Sequence, residues 1–349
     1  MNAQDVNNAP KIKKETKNKI RVEFERTSFW KRFKLKYLSW KFLGTVVWKI
    51  VRFLLLLGIS YVILMPFFTK ISSSFMSGDD FVDATVKLIP KYPTIATYKA
   101  IIRDNGYWNA LLNTTLLSLL CAVIQTFICS MIGYGFAKFK FKGNKILFAL
   151  VILTMIVPHR TVQFAMYMNF RYFDIGNIMK IFTGKGLIEL ITGSSINMTN
   201  TFWPLVLLSV TGLGFKNGLF IFMMRQYFRG VPDELEESAY LDGYGTVKTF
   251  IKIIIPLSVP MLITVFLFAF SWQWTDNFYS NLFFTTVGTK LLPSIVTVPK
   301  SLDTSVAQSM YNAAVNNACA MLIITPLIII YLFAQRYLIQ GIERSGIVG

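Results

Sequence analysis

Charged residues, histidine and cysteine are scarce in this chain. Of its 349 residues only 15% are charged, one is histidine and three are cysteine, whereas 54% are hydrophobic. A soluble domain of this size is less apolar, and the mean hydropathy of +0.49 agrees. The cysteines, Cys121, Cys129 and Cys319, show no metal-ligand spacing and lie in apolar runs. We therefore predict a membrane protein in which they are small packing residues and no metal is bound.

Groups for catalysis are equally sparse. The chain has no phosphate-binding loop of glycines followed by lysine, and its single histidine, His159, has no acidic partner nearby in sequence. A membrane-embedded glycosyl or acyl transferase, which is the remote alternative, would need clustered acids or a histidine–acid pair at the membrane surface. We expect no enzymatic activity and no cofactor bound by this chain.

Six long apolar runs predict an all-α, polytopic fold. A helix that crosses a bilayer needs about 20 mostly apolar residues. The six predicted spans are 46–68, 111–137, 147–170, 203–228, 250–272 and 313–338. The first run begins far from the N-terminus and is too long for the core of a cleaved signal peptide, so we interpret it as a retained anchor.

Lysine and arginine predict the orientation. They are concentrated in the arm 1–43 and in the loop after the second span, which carries Lys138, Lys140, Lys142 and Lys145. The positive-inside rule places both segments in the cytoplasm. If the chain crosses the membrane six times, residues 225–252 and the C-terminus are also cytoplasmic. Segments 69–110, 171–202 and 273–312 are then external. The external stretch 176–200 is predicted to be an insertion, either a contact for a solute-binding protein or a tolerated surface loop.

The net charge of +18 raises the alternative of nucleic-acid binding. Much of the excess lies in the arm and the inner loops, where it sets topology and attracts anionic lipid. The polar stretch 1–19 is predicted to be disordered, and the alternation of aromatic and basic residues that follows predicts an interfacial helix. We expect membrane lipid, and no nucleic acid, as the partner of this arm.

An acidic block between the fourth and fifth spans predicts a short helix. Pro232 suits a first turn, the acids that follow it suit the positive helix N-terminus, and Gly243 suits the end. Ser238 and Ala239 are small enough for a close approach, and Tyr240 and Leu241 offer apolar anchors for the groove of a partner. The alternative is an ordinary amphipathic turn between two membrane helices.

The spacing of this block resembles the EAA loop of ABC importer permeases. It reads Glu237-Ser238-Ala239, three residues, Gly243, nine residues, then Ile253-x-Ile255-Pro256. Tyr134-Gly135-Phe136-Ala137 and Met224-Arg225-Gln226-Tyr227 are similar to the second permease of maltose-permease-like carbohydrate importers, and the resemblance covers roughly 93–346. The residues to which it assigns coupling are Glu236, Glu237, Ser238, Ala239, Tyr240, Leu241, Asp242, Gly243 and Pro256.

This resemblance implies a type I ABC importer permease fold. The domains are then the arm 1–43, the first span with its external segment 44–110, and a five-helix core 111–349 that contains the coupling loop 229–256. The implied partners are a second homologous permease, two ATPase subunits that bind ATP and Mg, and an extracellular or periplasmic solute-binding protein. The implied location is the inner membrane of a bacterium or archaeon, with both termini in the cytoplasm.

Aromatic and polar residues at the end of the fifth span suit a sugar, because rings stack on sugar faces and polar groups bond the hydroxyls. Residues 272–278 resemble the Trp- and Asn-containing segment that many sugar permeases of this group carry at the same place. The pathway candidates are Trp272, Trp274, Asp276, Asn277 and Tyr279, with His159, Gln163 and Asn169 on the third span. The alternatives are an interfacial aromatic belt, recognition by the partner permease, and a non-sugar solute. For His159, which follows Pro158, the alternatives to a ligand contact are a proton relay and a structural role at a proline-broken helix.

Overall fold

The computed structural model describes residues 30, 40–175, 184, 186–285, 289–302 and 308–344. Most of the predicted arm 1–43, and residues 176–183 and 185 of the predicted insertion, lie outside the described residues. The chain divides into two compact units, Met1–Thr69 and Lys70–Gly349. The described part is helical, with one isolated bridge between Phe173 and Ile196 and no strand. The prediction of an all-α fold is confirmed.

The first helix, α1 (Trp40–Ser73), has no charged residue between Arg52 and Lys70, and its most hydrophobic window has no buried residue within the described chain. A helix that is hydrophobic all round does not remain in water. Its length of 34 residues is enough to cross a bilayer. The predicted anchor at 46–68 falls inside it.

Five helices lead from the external segment to the third span. They are α2 (Gly78–Val82), α3 (Ala96–Asp104), α4 (Tyr107–Lys138), α5 (Asn144–Ile156) and α6 (Gln163–Arg171). A short 3₁₀ turn, His159–Val162, separates α5 from α6. The two helices are bent by 93° because Pro158 cannot continue the α-helical hydrogen bonding.

Eight further helices of different lengths follow in the described part of the chain. They are α7 (Leu187–Thr192), α8 (Trp203–Val210), α9 (Asn217–Arg229), α10 (Glu234–Leu241), α11 (Thr246–Leu257), α12 (Val259–Trp274), α13 (Phe278–Phe283) and α14 (Gln308–Arg344). A 3₁₀ turn at Leu292–Ile295 precedes α14.

Helix α4 is at the centre of the second unit and packs against α8, α9 and α12, while α12 also packs against α14. A Cβ atom on Gly133 of α4 would lie 2.7 Å from Cβ of Met224 on α9, so glycine is required for this close approach. Small residues at helix interfaces are typical of membrane bundles. Cys121, Cys129 and Cys319 are free and buried in this packing, as predicted.

Three of the six predicted spans are interrupted. The third bends at Pro158, and the fifth bends by 81° between α11 and α12. The fourth consists of α8 and α9, which are separated by residues 211–216, where Gly212 and Lys216 have positive φ. Within the described residues three helices are long enough to cross a membrane, or five spans if each bent pair counts as one. The count of six spans stays a prediction.

Candidate functional site

Helix α10 forms in the predicted acidic block, with Glu234, Glu236 and Glu237 in its first turn. Pro232 was predicted in that turn but precedes the N-cap residue Asp233. Its end is a Schellman motif, in which the N–H of Tyr244 donates to the carbonyl of Ala239 (2.9 Å) and the N–H of Gly243 donates to that of Tyr240 (3.0 Å). Gly243 has a φ of +77°, which only glycine adopts at low cost. The prediction that Gly243 ends this helix is confirmed.

The two faces of α10 differ sharply. Glu236 and Ala239 are buried against the rest of the chain, whereas Leu235, Tyr240 and Leu241 are exposed, Leu241 to 89%. The remaining coupling candidates Glu237, Ser238, Asp242 and Gly243 are also at the surface. Leu241 therefore projects outward from α10, whereas Leu235 and Tyr240 flank its buried side and are partly exposed.

Lys138, the last residue of α4, holds α10 in place. Its side chain is only 6% exposed, and its Nζ donates to the carbonyl of Val231 (2.6 Å) and to the Asp233 carboxylate, with Oε1 of Glu236 at 3.5 Å. The hydrogen bond and the positive charge of Lys138 lower the pKa of Asp233 below its ordinary value. From the sequence, Lys138 was predicted to help set the topology, and no contact with α10 was predicted. Its contact with α10 depends on tertiary structure.

Pro256 lies in α11, immediately after a π-helical turn at Phe250–Ile254. A wider turn accommodates the missing N–H of a proline. Pro256 is exposed, and the chain bends at the buried Ser258 before α12 begins. The loop 229–256 is therefore built mainly of two short helices, α10 and α11, ahead of α12.

Two of the other candidate residues, His159 and Tyr279, lie where the helix breaks meet. Nδ1 of His159 is 3.0 Å from the hydroxyl of Tyr279. The ring of Phe215 lies 5.6 Å from the His159 ring and 5.7 Å from the Tyr279 ring. These contacts join the break in the third predicted span to the break in the fourth and to α13.

Trp272 and Trp274 point in different directions, as expected from their spacing. Trp272 is half-buried and stacks on Phe220 and Phe268, with centroids 5.6 and 5.9 Å away. Trp274 is 1% exposed and its Nε1 donates to the carbonyl of Ile323 at 2.9 Å. Trp272 therefore lies beside the helix breaks, and Trp274 lies in the core against α14.

The carboxylate of Asp276 is buried and accepts hydrogen bonds from the backbone N–H groups of Phe278, Tyr279 and Ser280. Free N–H groups at a helix start need such acceptors. These bonds hold the first turn of α13. The polar atoms of Asp276 are consequently engaged within the chain.

A cleft of about 730 Å³ brings two other candidates together, and because four of its lining side chains are polar we call it the polar cleft. Gln163 and Asn277 line it with Arg160 and Asn281. Asn281 was not among the candidates predicted from the sequence. It follows Asn277 by one helical turn, and its Nδ2 donates to Oδ1 of Asn277 at 3.0 Å. Asn169 lines a neighbouring cavity of about 610 Å³ that also includes His159 and is mainly apolar.

Two known transport permeases are similar to this chain over most of its length. The chain is 26% identical to the galactooligosaccharides transport system permease protein GanQ of Bacillus subtilis (strain 168), over 85% of this chain and 94% of that protein. It is 28% identical to the arabinooligosaccharides transport system permease protein AraQ of the same strain, over 87% of this chain and 97% of that protein.

A solved structure shares the fold. It is a bacterial ABC transporter involved in the import of the acidic polysaccharide alginate, and it matches with a TM-score of 0.60 and 21% identity over 84% of this chain and 97% of that chain. The resemblance to ABC importer permeases is thereby confirmed. A family model described as a binding-protein-dependent transport system inner membrane component matches residues 129–344, which is well over half of the chain. The chain therefore belongs to this family of transport permeases.

Proposed function

We propose that this multi-pass permease imports a saccharide by alternating access. The observation that carries the proposal is the polar cleft, which is lined by Arg160, Gln163, Asn277 and Asn281. The half-buried ring of Trp272 lies 6.3 Å from the ring of Phe215, at the break in the fourth predicted span. Amide and guanidinium groups bond sugar hydroxyls, and an aromatic ring packs on the apolar sugar face. The transport of galacto- and arabinooligosaccharides by systems that contain similar permeases supports the same cargo class.

Energy for transport comes from partner subunits. The exposed Leu235, Tyr240 and Leu241 of α10 offer an apolar surface of the kind that a short helix places in a groove. In the proposed assembly this surface docks on an ATPase, which binds ATP and Mg and hydrolyses the ATP. The chain itself catalyses no reaction and binds no cofactor. The complete complex has a second homologous permease, two ATPase subunits and an external solute-binding protein.

The proposed location is the inner membrane of a bacterium or archaeon, with both termini in the cytoplasm. This orientation follows from the lysine and arginine bias of the predicted loops. It places α10 on the side where ATP is available.

Uptake by the reconstituted complex tests this function. Proteoliposomes that contain both permeases, the ATPases and the binding protein would be supplied with neutral and acidic oligosaccharides. We expect ATP-dependent accumulation of at least one of them, reduced about thirtyfold by Gln163→Ala with Asn277→Ala, since two lost hydrogen bonds at about 1 kcal/mol each cost about 2 kcal/mol. Asn316→Ala, which removes an exposed amide from α14, is the control. Failure to accumulate any saccharide would contradict the proposal.

A further inference from the structure

Two helix breaks meet around a small cavity. It has a volume of about 240 Å³ and is lined by His159, Lys216 and Asn217, with Gly212, Gly214 and Gly218 beside them. His159 and Lys216 lie close to the midpoints of the third and fourth predicted spans, 147–170 and 203–228. In transporters, interrupted helices near the bilayer midplane form substrate sites, because their ends present free backbone groups.

Positive charge at these breaks is not neutralised within the described residues. Lys216 forms no ion pair there, and its Nζ lies 5.4 Å from the ring of Phe215 and 5.6 Å from that of Trp272. Arg160, the residue after His159, lines the polar cleft, likewise without a carboxylate partner in the described chain. Ionisable groups inside a span are costly and normally face a partner charge or a transport pathway. These two cations are therefore available to an anionic ligand.

Asn217 supplies an independent sign of a ligand. It lines the cavity and is 1% exposed, yet neither Nδ2 nor Oδ1 has a hydrogen-bond partner in the described part of the chain. An amide buried without partners costs about 1 to 3 kcal/mol per group. Asn217 is also the first residue of α9, a 13-residue helix whose N-terminus has no side-chain cap. The N-terminus of such a helix attracts negative charge.

Close packing fixes the geometry of this helix start. A Cβ atom on Gly218 would lie 2.6 Å from Oγ1 of Thr154, and one on Gly214 would lie 3.2 Å from Nδ2 of Asn217. The start of α9 is thus pressed against α5, with the Asn217 amide beside the turn at Gly214. His159 borders the same cavity and is held by its hydrogen bond to Tyr279. The polar groups are positioned before any ligand arrives.

We propose that this cavity binds a carboxylate of the transported saccharide, so that the cargo is an acidic oligosaccharide. The inference rests on the proposed saccharide transport. The cavity volume is about 240 Å³, whereas sites that enclose a whole drug-sized ligand start at roughly 300 Å³. The cavity is therefore too small for an oligosaccharide and suits a single substituted sugar unit. One lysine and one helix N-terminus match a single negative charge. The neighbouring sugar units lie in the polar cleft with Arg160.

Direct binding tests the proposal on the purified complex of both permeases and the ATPases in lipid nanodiscs. Calorimetry would compare trigalacturonate and trimannuronate with their methyl esters, which lack the charge. We expect each acid that binds to do so at least about tenfold more tightly than its ester, as a charge-assisted hydrogen bond implies. Lys216→Met should abolish the preference, Lys216→Arg should retain it, and Lys99→Met, which removes an exposed external lysine, should leave it unchanged.

Several results would overturn the inference. These are the binding of neither acid, equal binding of acid and ester, and an unchanged preference in Lys216→Met when Lys216→Arg binds normally. Uptake separates this failure from that of the proposed function. If the reconstituted complex accumulates neutral saccharides and shows no preference for acids, saccharide transport stands and only the acidic cargo is refuted. If it accumulates no saccharide, both proposals fail.

Discussion

The hydroxyl of Tyr279 and Nδ1 of His159 lie 3.0 Å apart, although 120 positions separate these residues in the chain. The contact fastens the turn that follows Pro158 to the short helix α13. Each residue was a pathway candidate by itself, and nothing local in the sequence indicated that they would meet. The hydrogen bond therefore sets the relative position of two segments that border the candidate pathway.

Removal of this hydrogen bond is expected to loosen the site. Tyr279→Phe should lower the stability of the purified complex by about 1 kcal/mol and reduce uptake several-fold, because one buried bond is lost without a change in shape. Tyr331→Phe is a matched control, since its hydroxyl lies 2.8 Å from Oγ of Ser271. Thermal unfolding and uptake would be measured for both variants. An equal loss of uptake in the two would show that the Tyr279 contact has no special role.

Replacement of Gly243 should impair coupling through backbone conformation. A Cβ atom there meets nothing within 4 Å in the described chain, so the constraint is the φ of +77° and the space that a docked partner needs. Gly243→Ala should cost about 1 kcal/mol in α10 stability, and Gly243→Asn less, because asparagine tolerates this conformation.

Uptake and copurified ATPase would be measured together for these variants. Asparagine should preserve the end of α10. If Gly243→Asn nevertheless loses both uptake and the copurified ATPase, the added side chain must interfere with the surface on which the ATPase docks. Gly245→Ala is the control, because Gly245 has an ordinary φ of −78° and open space around it. Normal uptake with Gly243→Ala would argue against a coupling role.

Lys138→Met should damage coupling more than it damages assembly. It leaves the buried carboxylate of Glu236 without its cation, which is a strongly unfavourable state. Lys138→Met combined with Glu236→Gln removes both charges and should recover part of the stability. Unfolding free energy, ATPase rate and uptake would be compared in a double-mutant cycle. Additive losses would mean that the two side chains act independently.

The two tryptophans should respond differently to alanine. Trp274→Ala should lower stability by about 3 to 5 kcal/mol, because a fully buried ring and its bond to Ile323 are lost. Trp272→Ala should reduce apparent substrate affinity about tenfold with a smaller effect on stability. Uptake would be normalised to the amount of inserted protein. If Trp272→Ala transports normally, recognition belongs to the partner permease.

Labelling with an impermeant amine reagent checks the orientation. In sealed right-side-out vesicles Lys142 and Lys248 should be protected, whereas Lys300 and Lys185, the latter outside the described residues, should react. Opening the vesicles with detergent provides the positive control, because all four should then be labelled. Reaction of Lys248 from the outside would contradict both the span count and the contact of α10 with an ATPase.

Local features were predictable from the sequence, and contacts between distant residues were not. Helix α10 and its end at Gly243 depend on neighbouring residues, and the apolar runs report burial in lipid directly. The breaks near Pro158 and Lys216 also have local signals, but a hydropathy average conceals them. The contact of Lys138 with Glu236 and the grouping of Gln163 with Asn277 depend on how helices pack. The periodicity of apolar residues along a helix does not indicate which distant residues will meet in this way.

Helix α4 is unbroken over 32 residues, whereas the third, fourth and fifth predicted spans are interrupted. At a rise of 1.5 Å per residue it is about 48 Å long. Its last residue, Lys138, is tied to α10, and nearer its other end Thr114 accepts a hydrogen bond from the N–H of Leu292. In mechanical terms α4 is a stiff lever among hinged segments. If a partner tilts α10, α4 would tilt with it, and the movement would reach the region of Thr114 and Leu292 near the other end of α4. The broken spans could change their bend angles to accommodate this tilt.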